Sequence, residues 1–373
     1  MKRFDQSEIW DIHNDYFLSR GLKAWSKGEV PYTGISNYFE AFKKAVFFYE
    51  SLENLQEDVT ELNILELGSG NAEFALNFLK AFEEIDKKGY FTKLKYTVSD
   101  YSELTLNELE ASPKLEQYQD HIYYKVLDIN FQMNEIEDSC FDLIMCNYLL
   151  DQLPARVIAK DPNQNSYFEK YLSIDIRSST KIKKIKKKQV FQKLNFENEI
   201  KIDHQIILDS CFRPNRTSTI VYSYGALRAV RRILYKLKAN GIFIASDFNA
   251  SSKPGLDFFE PCYYGNSLAQ AVNFEFICKY FFNEDTESPE HKNFKRDDHQ
   301  YILIYEDPIK PLHTLILTRP DYAKELKLNQ IYDKVYRQNV LMRIFFKYLV
   351  ELKYALMLFL LIFLSFCFFY FFF

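Results

Sequence analysis

From Ile64 to Asn71 the chain reads Ile-Leu-Glu-Leu-Gly-Ser-Gly-Asn: an apolar run closed by an acid, a turn through two glycines, then the first residues of a helical pattern. Gly68 and Gly70 allow backbone conformations and a close ligand approach that a Cβ forbids. Two ligands suit such a turn, a dinucleotide and S-adenosylmethionine. The dinucleotide fingerprint G-x-G-x-x-G requires glycine at position 73, which is Glu73, and a carboxylate in the first helical turn repels a pyrophosphate. S-adenosylmethionine has no phosphate and carries a sulfonium and an ammonium, for which Glu66 is a fitting counter-charge. Glu66, Gly68, Ser69 and Gly70 are therefore the candidate cofactor cradle.

Two more acids close apolar runs. Asp100 follows Lys95–Ser99, where its carboxylate can accept both hydroxyls of a ribose. Asp128 follows Ile122–Leu127, where it can accept the adenine N6 amine. Ligands of open α/β sheets bind at the carboxyl ends of the strands, so three acids at three successive strand ends form one expected site. Methyl transfer is an in-line displacement for which a protein aligns the acceptor and, where needed, takes its proton. Candidates for that work lie beyond the fourth and fifth strands. Asn147 is expected to touch both cofactor and acceptor, Asp151 and Asp247 to orient the acceptor or take its proton, and Tyr148 and Asn249 stand beside them. The six histidines form no triad and no G-x-S-x-G elbow is present, which excludes a serine hydrolase of that type.

The elements that must carry these residues alternate. Residues 34–57 read as a helix with Phe39, Phe42, Val46 and Tyr49 on one stripe. Strands are expected over Asn63–Leu67, Lys95–Ser99, Ile122–Leu127, Phe141–Cys146 and Gly241–Ser246, with helices over Ala72–Glu84, Glu103–Ala111, Tyr224–Lys238 and about Ser267–Phe282. Such alternation marks a parallel sheet covered on both faces. Gln300–Tyr305 and Thr314–Leu317 are separated by only eight residues, too few for a helical crossover, so this pair is expected to be antiparallel. Ala159–Tyr222 exceeds a simple crossover and reads as an insertion; its basic block Lys181–Lys193 reads as a solvated loop.

With these residues in place, the sequence resembles class I S-adenosylmethionine-dependent methyltransferases over about 60–150 and 224–320. Glu-Leu-Gly-Ser-Gly is similar to their first motif, Asp100 to their ribose acid and Asp128 to their adenine acid. The resemblance implies an α/β fold with a Rossmann-like seven-stranded sheet, five parallel strands plus a terminal antiparallel pair. VSDYSELTLNELEAS, CNYLLDQLPARVI and YGNSLAQAVNFEFI are also similar to segments of the methyltransferases that assist assembly of respiratory complex I and of their bacterial relatives. Arginine methylation of a protein is what that likeness implies, although this family places Glu directly after the fourth-strand Asn, where this chain has Tyr148. The expected organisation is a helical cap over 1–60, a methyltransferase domain over 61–320, a helical linker over 321–353 and a tail over 354–373. The acceptor is expected to be a protein side chain or a small metabolite. The alternative is a non-catalytic assembly factor of the same fold, tethered to a membrane.

Composition bounds these readings. The chain has 373 residues, 35 Phe, 27 Tyr and only 10 Gly, with 47 basic against 51 acidic residues. That excludes disordered and collagen-like classes and gives no basic excess for a nucleic-acid partner. The cysteines form no C-x-x-C pair and the N-terminus no secretory pattern, so a cytoplasmic protein with free thiols is expected. Tyr354–Phe373 carries no charge and is long enough, as a helix, to cross a bilayer core of roughly 30 Å; it is expected to be a membrane anchor.

Overall fold

The computed structural model describes residues 1–26, 30, 32–55, 59–161, 163, 166–179, 181–212, 218–250, 259–282, 301–305, 312–319, 326–332 and 334–335. It divides into a unit over Met1–Leu326 and a second over Lys327–Phe373, of which the helix Leu328–Tyr332 is described. The strands are β1 (Lys2–Arg3), β2 (Leu62–Leu67), β3 (Leu94–Asp100), β4 (Ile122–Val126), β5 (Phe141–Asn147), β6 (Arg156–Asp161), β7 (Ser166–Asp175), β8 (Lys186–Leu194), β9 (Ser218–Tyr222), β10 (Leu237–Phe248), β11 (Cys262–Tyr264), β12 (Ser267–Ala269), β13 (Tyr301–Tyr305) and β14 (Leu312–Thr318).

The central sheet has the order β13-β14-β10-β5-β2-β3-β4. Strands β4, β3, β2, β5 and β10 pair in parallel, and β14 runs antiparallel to both of its neighbours. Parallel strands are covered on both faces, so they read as continuous apolar runs; Leu62, Ile64, Leu65 and Leu67 of β2 are all buried. Strand order reverses between β2 and β5, which opens a crevice at their carboxyl ends. The helix Glu73–Ile85 follows β2 and places Phe74, Phe78 and Phe82 on one stripe, Phe78 and Phe82 stacked at 6.0 Å and Phe78 against Tyr96 of β3.

Several elements differ from the sequence expectation. The first long helix is interrupted: Thr33–Ser36 is one turn, Asn37 accepts the Glu40 amide at 3.1 Å, and a new helix spans Tyr38–Leu55. Its buried face is Ala41, Lys44, Ala45, Phe48 and Leu52, whereas Phe39 is exposed. Ser267–Phe282 is not one helix. Ser267–Ala269 is β12 of a hairpin with β11, and the helix begins at Phe274, where Asn273 Oδ1 accepts the Phe276 amide at 3.0 Å.

The insertion is a second sheet, all antiparallel, with order β1-β7-β6-β9 and β8 on the other side of β7. It begins at Arg156 rather than Ala159. The basic block is not a loop: Ile182–Lys184 is a turn of 3-10 helix and Lys186–Leu194 is strand β8. Within β8 only Lys187 and Val190 are half-buried and only Leu194 is buried, so the lysine run carries little apolar pattern to mark a strand. Strand β1 joins this sheet, and Phe4, Ile9 and Trp10 share a core with Val157, Leu172, Ile182 and Leu268. Inside it, buried Arg156 spans Glu169 (2.5 and 2.6 Å) and Glu199 (3.4 Å).

No helix among the described residues is long and apolar enough to cross a membrane. The expected anchor, Tyr354–Phe373, and most of the expected linker lie outside the described residues.

Candidate active site

Strand β2 delivers Glu66 into the crevice. Its carboxyl is buried and accepts the Tyr96 hydroxyl at 2.9 Å. Burial pushes it up to about 8, against the opposing pull of Tyr96 and Lys44. Beyond it, Gly68 and Gly70 take φ of 65° and 54°, which L side chains rarely adopt. The turn is fastened to the tip of β3. The Ser69 amide and hydroxyl both donate to the Ser99 carbonyl, at 2.9 and 2.8 Å, and the Gly70 amide donates to Asp100 Oδ2 at 3.1 Å.

Asp100 therefore has a structural duty that its sequence position did not disclose. Its other oxygen accepts the Ser102 amide at 2.9 Å, and burial raises the carboxyl to about 6 while the two amides hold it down. Neither of the two cavities flanking the glycine turn is walled by Asp100; its neighbour Tyr101 walls the larger. Each carboxylate oxygen retains a second lone pair.

The larger cavity, about 190 Å³, is bounded by Gly68, Tyr101, Asp128, Ile129 and Leu149 from the sheet side and by His13, Asn14 and Leu18 from the helix Ile9–Arg20. Asp128 Oδ1 accepts the Asn130 amide at 2.7 Å, and the Asp128 amide is bound by Gln132, so the acid is oriented by its own loop. His13 is buried, accepts the Leu268 amide on Nδ1 at 3.0 Å, and is pushed down to about 4 by burial, which leaves it neutral.

The smaller cavity, about 40 Å³, has Glu66, Ser69, Asn147 and Asp151 in its wall with the aromatic rings of Trp25, Tyr32, Tyr148, Phe248 and Tyr264. Gly68 and Gln152 belong to both walls. Trp25 explains its narrowness: a Cβ on Gly70 would lie 2.5 Å from the indole, and one on Gly68 would lie 3.0 Å from Leu149. The glycine turn is thus covered by side chains of this protein.

Asn147 ends β5. Its Oδ1 accepts buried Lys44 Nζ at 3.0 Å, while its buried Nδ2 has no hydrogen-bond partner among the described residues. Asp151 and Asp247, from the turn after β5 and the end of β10, are both buried and hydrogen-bond to each other. The Asp151 amide also donates to Asp247 Oδ2 at 3.1 Å, and the Phe248 amide to Asp247 Oδ1 at 2.8 Å. Burial raises both carboxyls, Asp151 the more because Asp247 is its neighbour. Asp151 Oδ1 is occluded and accepts from no donor among the described residues. Tyr148 takes φ of 50° and packs against Phe248, the ring centroids 5.1 Å apart and the planes tilted by 35°. Asn249 accepts the Phe274 amide at 3.3 Å and belongs to packing.

The structure thus gathers Glu66, Gly68, Ser69, Asn147 and Asp151 around one small cavity and Asp128 at its larger neighbour, with Asp100 and Asp247 behind them. Sequence reasoning missed Lys44, Trp25, His13 and Gln152. Only Lys44 had a local signal, since a lysine four residues before Phe48 on an otherwise apolar face must find a buried partner. Donor chemistry fits a cationic nucleoside: acids where positive charge would lie, glycines where the backbone must be approached, and an unpaired amide.

A family model described as "Putative S-adenosyl-L-methionine-dependent methyltransferase" matches residues 45–274, more than half of the chain. Among solved structures, an uncharacterized protein from Burkholderia thailandensis is 13% identical with a TM-score of 0.54, over 83% of this chain and 87% of its own. A second protein from Burkholderia thailandensis, whose crystal holds S-adenosyl-homocysteine, is 12% identical with a TM-score of 0.52, over 86% of this chain and 95% of its own. At these identities the likeness is one of fold. No curated protein matches the sequence.

Proposed function

This chain belongs to that family of S-adenosylmethionine-dependent methyltransferases, and we propose that it transfers a methyl group to a nitrogen of a protein side chain, arginine being the acceptor its acids suit best. S-adenosylmethionine supplies the methyl as an electrophilic sulfonium carbon. In this reading Asp128, Ile129 and Leu149 take the adenine side, Asp100 the ribose through its remaining lone pairs, and Glu66 and Ser69 the charged end, with Gly68 and Gly70 beneath. The relative from Burkholderia thailandensis that holds S-adenosyl-homocysteine supports the placement through its shared fold.

One observation carries the acceptor assignment: the Asp151 carboxyl, which accepts from no amide among the described residues, and Asn147 Nδ2, which has no partner among them, belong to residues of the same aromatic-walled cavity as Glu66. Buried polar atoms without partners are costly, so the site suits a ligand that donates to the acid. A planar cation between rings satisfies the acid and the aromatic faces together. The missing Glu after Asn147 is then compensated by Asp151 four positions on. A small metabolite is the lesser reading of the same cavity.

Trp25 against Gly70 favours a second reading, an interaction factor of this fold that binds the cofactor weakly or not at all. Calorimetric titration with S-adenosyl-homocysteine separates the two. Saturable binding that Asp100→Ala abolishes, together with labelled-methyl transfer to protein in a lysate, supports the enzyme. No heat with the wild-type chain supports the factor.

A further inference from the structure

Two buried carboxyls in hydrogen-bond contact require a proton between them, because two adjacent anions in a site of low dielectric do not coexist. Asp151 and Asp247 meet this way at the tips of neighbouring strands, 2% and 1% exposed. Among the described residues, the titratable groups facing the pair are Cys146 and Tyr148 on the β5 side, Cys262 and Tyr264 on the hairpin, and His313, which stands opposite Asp247 in the β10–β14 register; none of them is a lysine or arginine. The two members are not equivalent. Each oxygen of Asp247 accepts a backbone amide, from Phe248 and from Asp151, whereas the Asp151 carboxyl accepts from no amide among the described residues and Asp151 lines the smaller cavity.

We propose that Asp151 and Asp247 work as one proton-sharing pair in which the Asp151 carboxyl is the base that receives the acceptor's proton and Asp247 is a positioning residue that sets its proton affinity. This rests on the methyltransferase reading above. As the acceptor nitrogen bonds to the methyl carbon, the carbon–sulfur bond breaks with its electron pair left on sulfur, and the N–H proton passes to the Asp151 carboxyl. The pair goes from singly to doubly protonated, which balances the charge that the sulfonium loses. A lone aspartate is a poor base near neutrality; sharing a buried site with a second carboxyl raises its affinity toward the range in which proton transfer is efficient.

The test needs no acceptor. A cofactor analogue with a primary amine in place of the sulfonium methyl places an ammonium beside Asp151, whereas S-adenosyl-homocysteine places nothing there. Proton uptake or release on binding is read by calorimetry near neutral pH in buffers of different ionisation enthalpy. The amine analogue is expected to release up to about one proton more than S-adenosyl-homocysteine, because the ammonium favours the ionised pair. In Asp247→Asn the extra release near neutrality disappears and moves to more acidic pH, and in Asp151→Asn it is absent at all pH, with S-adenosyl-homocysteine affinity retained in both. Equal proton counts for the two compounds in the wild-type protein, or an unmoved release in Asp247→Asn, overturn the pair while leaving the methyltransferase reading standing. Failure of both compounds to bind overturns both.

Discussion

Replacing Glu66 with glutamine should strengthen the fold and weaken the site at once. The buried carboxyl stands at about 8 against an ordinary value of 4.5. Between these limits the folded protein holds a proton that the unfolded chain releases, so stability declines as pH rises from about 4.5 to about 8, by roughly 1.4 kcal/mol per pH unit. Integrated over that window, the loss is on the order of 4 kcal/mol at pH 8. Glutamine cannot ionise and still accepts from Tyr96, so Glu66→Gln should melt at a temperature close to wild type near pH 4.5 and several degrees higher at pH 8, at about 1.5 °C per kcal/mol for a chain of this length. Binding should move the other way. Losing a charge-assisted contact to a cation costs about 1.5–3 kcal/mol, roughly tenfold to a hundredfold in affinity. Scanning calorimetry at the two pH values and titration with S-adenosylmethionine check both halves. Unchanged melting at pH 8, or unchanged affinity, would refute the placement of Glu66 as a buried acid waiting for a cation.

Gly68→Val should abolish cofactor binding, because its Cβ meets Leu149 at 3.0 Å and φ of 65° disfavours a branched side chain; titration with S-adenosyl-homocysteine would show it. Trp25 must leave Gly70 before a ligand reaches the turn, so its fluorescence should change on cofactor binding in a Trp10→Phe background, and Trp25→Ala should bind at least as tightly as the parent. Arg156→Met strands Glu169 in the interior and should cost about 3–5 kcal/mol in denaturant unfolding, most of it recovered in Arg156→Met with Glu169→Leu.

The parallel strands were legible because each is a short apolar run closed by an acid or amide, and the glycine turn because few other sequences bend so sharply between strand and helix. Element starts set by single capping side chains, Asn37 and Asn273, were obscured by the apolar residues on either side. Strand β8 was hidden by its lysines, which suggest a loop, because it buries little beyond Val190 and Leu194. The acids were found where they stand, yet the division of labour among them was not. That Asp100 ties down Gly70, and that Asp151 meets Asp247, 96 residues later, depends on contacts between strand tips that no local pattern encodes. Trp25 and Lys44 come from helices outside the repeating strand–helix units, and only tertiary packing brings them to the site.

Strand β1 has an implication for synthesis. Lys2 and Arg3 find their partners at Leu172 and Tyr171, and Tyr224 binds Asp5. The leading segment, which also supplies His13 and Trp25 to the crevice, therefore emerges from the ribosome long before the surface that holds it exists. The roof over the glycine turn is thus held in place by residues that are made long after the turn itself.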